Sequence, residues 1–396
     1  MPIRYVNVVR IGCTKTIMPL IDSYNRIIHY LRVSVTDRCN FRCVYCMPET
    51  GAPIAPRDEL LNDDEIVRVV RLAISLGMSH IRITGGEPLV RPGLVGILKR
   101  ISCHPDLREL SITTNGYLLP AMAGDLAEAG VHRVNMSLDT LRQDRFASIA
   151  RRGSLDQVLE GLEAALQCGM APVKLNCVVM RGYNEDECVE FARLTVDRPL
   201  HVRFIELMPI SWSSGDEPDL LRGFYALAGA AKEGAKQRDV YAENESKSFA
   251  KIQIPVLGHS NGMLDGGAMR RAFVPAAETR SAIEAELGPL EAATVTTQGP
   301  AQTYRIPGAA GTVGFISQIT RDFCRDCNRL RLTADGSLRP CLMADGEVSL
   351  RDLMRRGASD GDLEELFRLV VKHKPLEHRL EDGITPIARG MSQLGG

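Results

Sequence analysis

Between residues 30 and 207 the sequence alternates between short apolar, β-branched runs and longer stretches of helical periodicity. The short runs are 30–36 (YLRVSVT), 80–84 (HIRIT), 109–113 (ELSIT), 132–138 (HRVNMSL), 172–179 (PVKLNCVV) and 201–207 (HVRFIEL). The stretches between them, 63–77, 93–102, 118–130, 154–169 and 184–196, predict helices, and 63–77 opens with acidic residues that suit a helix N-terminus. Strands separated by helices run parallel, so this alternation demands a parallel sheet covered by helices. Six such units fit either a doubly wound open sheet or an incomplete barrel. The polar residues favour the barrel. Gly85-Gly86-Glu87 follows the second run, Thr113 to Gly116 end the third, Ser137 and Asp139 end the fourth, and Met208 follows the sixth. Polar groups gathered at the carboxyl ends of several strands belong to a barrel-type site. The expected fold class is therefore α/β, an incomplete (β/α)6 TIM-type barrel.

The alternation stops near residue 210. Residues 211–272 carry Gly and Ala patches, mixed charges and the lone Trp212, with a helix expected over 221–238. This segment reads as an insert, partly flexible. Order resumes over 273–396, with strand-like runs at 302–306 and 311–317 and helices at 349–355 and 361–372. The expected organisation is an N-terminal extension (1–21), the barrel (22–210), the insert (211–272) and a C-terminal domain (273–396) that closes one side of the barrel.

The chain has eleven cysteines. Arg4, Arg10 and Lys15 break every apolar run near the N-terminus, so no secretory signal is read there. In a reducing compartment, cysteines are metal ligands, catalytic groups or core residues before they are disulfides. Six are clustered as Cys39-x3-Cys43-x2-Cys46 and as Cys324-x2-Cys327 with Cys341. Cys168, Cys177 and Cys188 read as small core residues. Three thiolates are one short of the four that a structural zinc or a four-iron cluster normally takes. A cluster held this way leaves one iron open to a substrate or cofactor. The alternative, zinc with a distant histidine as fourth ligand, is weighty for the second set and slight for the first.

Lys and Arg total 48 and Asp and Glu 49, a net charge of −1 that argues against coating a nucleic acid. A small polyanion needs only a few local arginines. No stretch of 18 apolar residues is present, so no membrane span is expected.

The segment LRVSVTDRCNFRCVYCMPE at 31–49, followed by GGEP at 85–88, resembles the radical S-adenosylmethionine (SAM) enzymes. The likeness narrows with DSYNRIIHYLRVSVTDRCN, RITGGEPLVR, TTNGYLL, VNMSLDTL, CNRLRLTADGSLRPCL and the terminal MSQLGG. Together these are similar to the GTP 3′,8-cyclase family, which opens molybdenum cofactor biosynthesis. The resemblance spans roughly 22–210 and 273–396. It implies two [4Fe-4S] clusters, one on Cys39, Cys43 and Cys46 that binds SAM, and one on Cys324, Cys327 and Cys341 that faces the substrate. It implies SAM contacts at Tyr45, Gly86, Ser137 and Met208. For GTP it implies Arg32, Arg82, Thr113, Lys174, Arg329 and Arg331. Arginine suits a triphosphate because its guanidinium is planar and always charged. Arg329 and Arg331 alternate on RLRLT, so as a strand both point the same way. Barrel strands are apolar on the outside, where helices cover them, so a strand Arg or Lys is expected to point inward.

The implied reaction is abstraction of the ribose 3′ hydrogen of GTP by a 5′-deoxyadenosyl radical, followed by closure onto C8 of guanine. The resemblance further implies a homodimer, a C-terminal Gly395-Gly396 tail that reaches toward the site, and cyclic pyranopterin monophosphate synthase as the next enzyme. A cytoplasmic location is expected, with a mitochondrial presequence weakly supported because serines are few. The sequence does not indicate which reductant supplies the electron. Two competing readings are a peptide-modifying radical enzyme and a non-enzymatic iron–sulfur or zinc protein. The first leaves the Cys-Asn-Arg-Leu-Arg run without a purpose, and the second leaves the Gly-Gly-Glu turn without one.

Overall fold

The computed structural model describes residues 19–208, 210, 259–260, 263–264, 266–294, 299–321, 323–344, 346–378 and 389–395. The helix expected over 221–238, Cys13 and Gly396 lie outside them. Six strands, β1 (Tyr30–Ser34), β2 (His80–Thr84), β3 (Glu109–Thr114), β4 (Arg133–Ser137), β5 (Val173–Val179) and β6 (Leu200–Glu206), pair in chain order and run parallel. The helices between them are α1 (Asp63–Ser75), α2 (Leu94–Ser102), α3 (Leu119–Glu128), α4 (Gln143–Ile149), α5 (Leu155–Gln167) and α6 (Cys188–Arg193).

Local chemistry explains the boundaries. Asn62 and Glu65 exchange side-chain and backbone hydrogen bonds at the start of α1, which satisfies donors the helix itself leaves open. The helix expected over 184–196 divides into a 3-10 turn, Glu185–Glu187, and α6. Asn184 is the cause. Its Nδ2 donates to the carbonyls of Asp139 and Val178 and its Oδ1 accepts from Met180 N, so it holds the chain in a turn. The polar α4 has only Phe146 and Ile149 buried, too weak a stripe to be read from sequence.

Strand alternation separates two environments. Leu31, Val33, Ile81, Ile83, Leu110, Ile112, Val134, Met136, Leu175 and Val202 are buried in the large core shared with the helices. The alternate positions carry Arg32, Arg82, Ser111, Arg133, Asn135, Lys174, Asn176 and Arg203 on the opposite face of the sheet. Pairing sets Arg32, Arg82, Ser111 and Arg133 side by side on successive strands, and Asn135 beside Lys174.

The C-terminal part adds β7 (Gln302–Arg305), β8 (Thr312–Ile316), β9 (Arg329–Leu332) and β10 (Ser337–Arg339). This part covers the open side of the barrel, as expected, and it does so from both edges. β8 joins β6 in parallel and β9 joins β1 in parallel, so it engages both edges and makes eight parallel strands. Antiparallel strands continue beyond each, β7 with Glu291–Ala292 on one flank and β10 with Val348–Ser349 on the other. An incomplete barrel exposes two rows of unpaired backbone groups, and both rows are covered this way. The ends of the twelve-strand order do not pair with each other among the described residues, so the barrel is incomplete.

Two corrections concern burial. The last part of the expected insert is core. Met263 and Leu264 precede α7 (Gly266–Ala272), and with Ala268, Met269 and Ala272 they pack against Val44, Met180, Leu207 and Ile210. Leu264 N also donates to Val44 O at 3.0 Å, beneath the first cysteine loop. Helix α8 (Ala276–Leu287) follows, and α9 (Leu350–Arg355) and α10 (Asp360–Lys372) end the fold. Cys177 and Cys188 are buried as read, but Cys168 is exposed because it caps the C-terminus of α5. Among the described residues no helix is long and apolar enough to cross a membrane.

Candidate active site

The first cysteine loop leaves the carboxyl end of β1, and its residues divide by polarity. Phe41, Val44 and Met47 are buried, while Cys39, Cys43 and Cys46 line a cavity of about 600 Å³. Phe41 meets Tyr117 and Phe146 edge to face, with ring centroids 5.8 and 5.6 Å away. Arg42 N and Val44 N donate to Ala150 O and Ile149 O at 3.0 Å. Cys46 N and Met47 N both donate to Cys43 O, which closes the turn. The loop is thus fixed by apolar anchors and backbone bonds, and its three cysteines face the cavity.

The Gly-Gly-Glu turn lies against this loop. Gly86 N donates to Thr36 O at 2.7 Å, and a Cβ on Gly86 would collide with the carbonyl of Arg38. Glu87 is buried and accepts from Leu89 N, Thr114 Oγ1 and Asn115 N at 3.0, 2.7 and 2.7 Å. It ties the turn to the end of β3. Burial nevertheless raises its carboxyl to about 7. Tyr45 donates to Asp139 Oδ2 at 2.8 Å, and burial raises Asp139 to about 6. Around them, burial and then Glu87 push the Cys39 thiol up to about 11, and burial and then Cys39 push Cys46 up to about 12. Tyr45, Gly86, Ser137 and Met208 all line the same cavity.

The second set sits on the other wall. Cys324 and Cys327 lie on a 3-10 turn, and Cys341 follows β10. Cys324, Cys327 and Cys341 line a smaller recess with Lys374 and His378; Cys327, Arg329, Arg331 and Leu342 belong to both recess and cavity, so the two adjoin. Burial works against a Cys327 thiolate, but Arg329 and Lys374 outweigh it and bring the thiol down to about 6.

Between the two sets the wall is cationic. Arg32, Arg82, Arg203, Arg329 and Arg331 line the cavity. Arg203 donates to Asn176 Oδ1 and Asn135 Oδ1, Arg82 to Ser111 Oγ, and Arg331 to the carbonyls of Leu394 and Gly395. These partners are neutral. Burial, with Arg82 next, lowers Arg203 to about 9, and burial, with Arg329 next, lowers Arg331 to about 9. Thr113 Oγ1, Thr84 Oγ1 and Tyr30 OH line the cavity and are buried without a hydrogen-bond partner. Desolvated cations held by neutral oxygens, beside open hydroxyls, suit a bound polyanion.

Lys174 does not reach the cavity wall. It is buried, and burial with Arg203, Arg82 and Arg133 beside it lowers its ammonium to about 6. Gly395 is in the left-handed region at φ 74°, and a Cβ there would come within 2.7 Å of Thr84 Oγ1. Met391 and Ser392 of the same tail line the cavity. Sequence reasoning missed Arg203. It alternates with Val202 and Phe204 on β6 as Arg32 does on β1, so the inward rule applied there would have found it. Asn135 and Asn176, which hold it, gave no charge signal.

The donor sets fit iron–sulfur clusters. In each, a backbone N–H two residues on points at a sulfur at 3.4 Å: Phe41 N to Cys39 Sγ and Met343 N to Cys341 Sγ. Such donors support thiolates that carry a cluster. Among the described residues no three Cys, His, Asp or Glu side chains converge as one metal ion requires.

Residues 33–195 match the family model described as Radical SAM superfamily, and residues 261–380 match Molybdenum Cofactor Synthesis C. A GTP 3′,8-cyclase of Pelotomaculum thermopropionicum is 45% identical over 95% of this chain and 99% of its own length. Relatives of the same name from Moorella thermoacetica and Heliobacterium modesticaldum are 43% and 44% identical over 95% of this chain, covering 99% and 100% of their own length. The radical SAM signature on one wall, the cationic second-cysteine wall facing it and this full-length likeness place the chain in the GTP 3′,8-cyclase family of the radical SAM superfamily.

Proposed function

We propose that this chain cyclises GTP to (8S)-3′,8-cyclo-7,8-dihydroguanosine 5′-triphosphate, the first step of molybdenum cofactor biosynthesis. The observation that carries the reading is a cavity lined by Cys39, Cys43 and Cys46 on one wall and Cys327 on the other, with Arg32, Arg82, Arg203, Arg329 and Arg331 between them and Cys324 and Cys341 in the adjoining recess. Bound at the cluster that Cys39, Cys43 and Cys46 would hold, SAM would supply the radical chemistry needed at the ribose 3′ C–H bond. The protein's own task is placement, because a radical must meet one C–H bond and then one ring carbon in fixed geometry.

In this reading Cys39, Cys43 and Cys46 hold the first cluster. The turn at Gly86, with Ser137, Tyr45 and Met208, cradles SAM. Asp139 holds the Tyr45 hydroxyl, and Glu87 fixes the turn on β3. Cys324, Cys327 and Cys341 hold the second cluster. Arg32, Arg82, Arg329 and Arg331, joined by Arg203, bind the triphosphate; Thr113 offers an open hydroxyl; Lys174 adds charge from one layer deeper. The narrow approach of the tail to Thr84 makes Gly395 a spacer that no larger residue replaces. The chain divides at about 21, 210 and 261, acts as a cytoplasmic homodimer, and passes its product to cyclic pyranopterin monophosphate synthase; the family's properties support these points.

Anaerobic reconstitution tests the reading. About eight irons per chain, with 5′-deoxyadenosine formation that rises when GTP is added, are expected. About four irons, or cofactor cleavage indifferent to GTP, would overturn it.

A further inference from the structure

The two cysteine sets are held in different ways. The first loop has three buried apolar anchors, whereas the turn Cys324–Asp326 has no buried residue at all. Its three cysteines also come from two separate segments. Something other than apolar contact must fix Cys324 relative to Cys341.

Arg26 is placed to do so. It sits between two short strands, Leu20–Ile21 and Ile27–Ile28, and is buried. Its Nε bonds the buried carboxylate of Asp22 at 2.6 Å. Its Nη1 donates to Cys324 O at 2.7 Å and to Leu376 O at 2.8 Å, and its Nη2 donates to Pro375 O at 2.6 Å. One residue earlier, buried Lys374 donates from Nζ to Pro340 O at 2.6 Å, next to Cys341. The segment 374–376 is therefore the common tie. Lys374 fastens it to the Cys341 side, and Arg26 fastens it to the Cys324 side.

We propose that Arg26, locked by Asp22, is a positioning residue for the second cluster, bracing the Cys324 turn against the segment that holds Cys341. The planar guanidinium fork reaches three carbonyls and a carboxylate at once, which an ammonium cannot. Nothing in this brace touches the first cysteine loop, so its loss acts on the second cluster alone. The inference rests on the reading that Cys324, Cys327 and Cys341 hold a cluster.

The full chain is reconstituted without oxygen as wild type, as Arg26→Met, and as the triple variant Cys324→Ala, Cys327→Ala, Cys341→Ala. Iron and sulfide are counted, and SAM cleavage with a chemical reductant and no GTP reports the first cluster. Expected is a fall from about eight irons to about four in Arg26→Met, with GTP-independent SAM cleavage within threefold of wild type. Eight irons retained would overturn the brace, and so would parallel loss of both clusters, the mark of a merely structural role. The triple variant separates the two claims. If it keeps eight irons, the cluster reading itself fails; if it drops to four while Arg26→Met keeps eight, only the brace fails. Should Arg26→Met not fold, Arg26→Lys keeps the pairing with Asp22 and loses the fork. Four of its irons should then pass to a chelator at least tenfold faster than in wild type, and equal rates would overturn the proposal.

Discussion

The first cysteine set is an acidic, apolar site, and the second is a cationic one. Beside Cys39, Cys43 and Cys46 stand Glu87 and Asp139, and burial together with these carboxylates drives the thiols up. Beside Cys327 stand Arg329 and Lys374, which bring its thiol down to about 6 in spite of burial. A buried site lined by carboxyl groups and thiols favours positive charge, as a sulfonium, an ammonium or iron. A site of crowded, desolvated guanidiniums awaits negative charge, as a polyphosphate. The two sites adjoin, so charge complementarity favours a cationic ligand on the first wall and an anionic one on the second.

Replacing any of Cys39, Cys43 or Cys46 with Ala should remove SAM cleavage below detection, measured as 5′-deoxyadenosine under reducing conditions. Substitution on the cationic wall should act on the other ligand. For Arg203→Met, a lost charge-assisted contact contributes about 1.5–3 kcal/mol, so GTP should bind ~10–100-fold more weakly. Its SAM affinity should stay within about threefold, since Asn135 and Asn176 share no contact with the first loop. Equal weakening of both ligands would merge the two walls into one. On the acidic side, Gly86→Ala forces a methyl against the Arg38 carbonyl, and SAM binding should fall about tenfold while GTP binding holds, by calorimetry on the reconstituted protein.

The smallest effect is the sharpest on the comparison. Lys174 is neutral above about 6 in the free barrel, and a bound polyanion raises its affinity for protons. GTP binding near pH 7 should therefore take up a proton and weaken as pH rises. Glu87 and Asp139, at about 7 and about 6, should do the reverse, because a cationic cofactor beside them lowers both. SAM binding near pH 6.5 should release protons. Calorimetry in buffers of different ionisation enthalpy reads both signs. Stability of the ligand-free chain follows the same groups. Glu87 is raised above its unfolded value of 4.5, so the folded state binds the extra proton and stability falls as pH rises from 4.5 to about 7. Lys174 is lowered from 10.5, so its contribution rises with pH from about 6 upward. Glu87→Gln should flatten the first slope in a denaturant series.

Much of this was legible in the sequence because period and composition are local. The six parallel strands follow from alternation, and their pairing order and the inward aim of Arg32 and Arg82 follow from the barrel that the polar strand ends favour. Arg203 obeyed the same rule and was passed over, since its strand carries no motif. Two things were out of reach for a physical reason. The register of β8 on β6 and of β9 on β1 joins segments about a hundred to three hundred residues apart, and no local pattern encodes such pairing. Arg26 stands within the motif DSYNR, yet its partners are Cys324, Pro375 and Leu376, which only the folded chain brings to it. The packed Met263, Leu264, Ala268, Met269 and Ala272 were hidden by Gly266 and Gly267, which read as a loop although the small Ala268 and Ala272 let α7 approach the core.

The central claim is that a radical formed at the first wall reaches a ribose held at the second. GTP deuterated at the 3′ position tests it in a single turnover with the reconstituted protein. Deuterium should appear in the 5′-deoxyadenosine released. Unlabelled 5′-deoxyadenosine, with the label retained in the nucleotide product, would contradict the account.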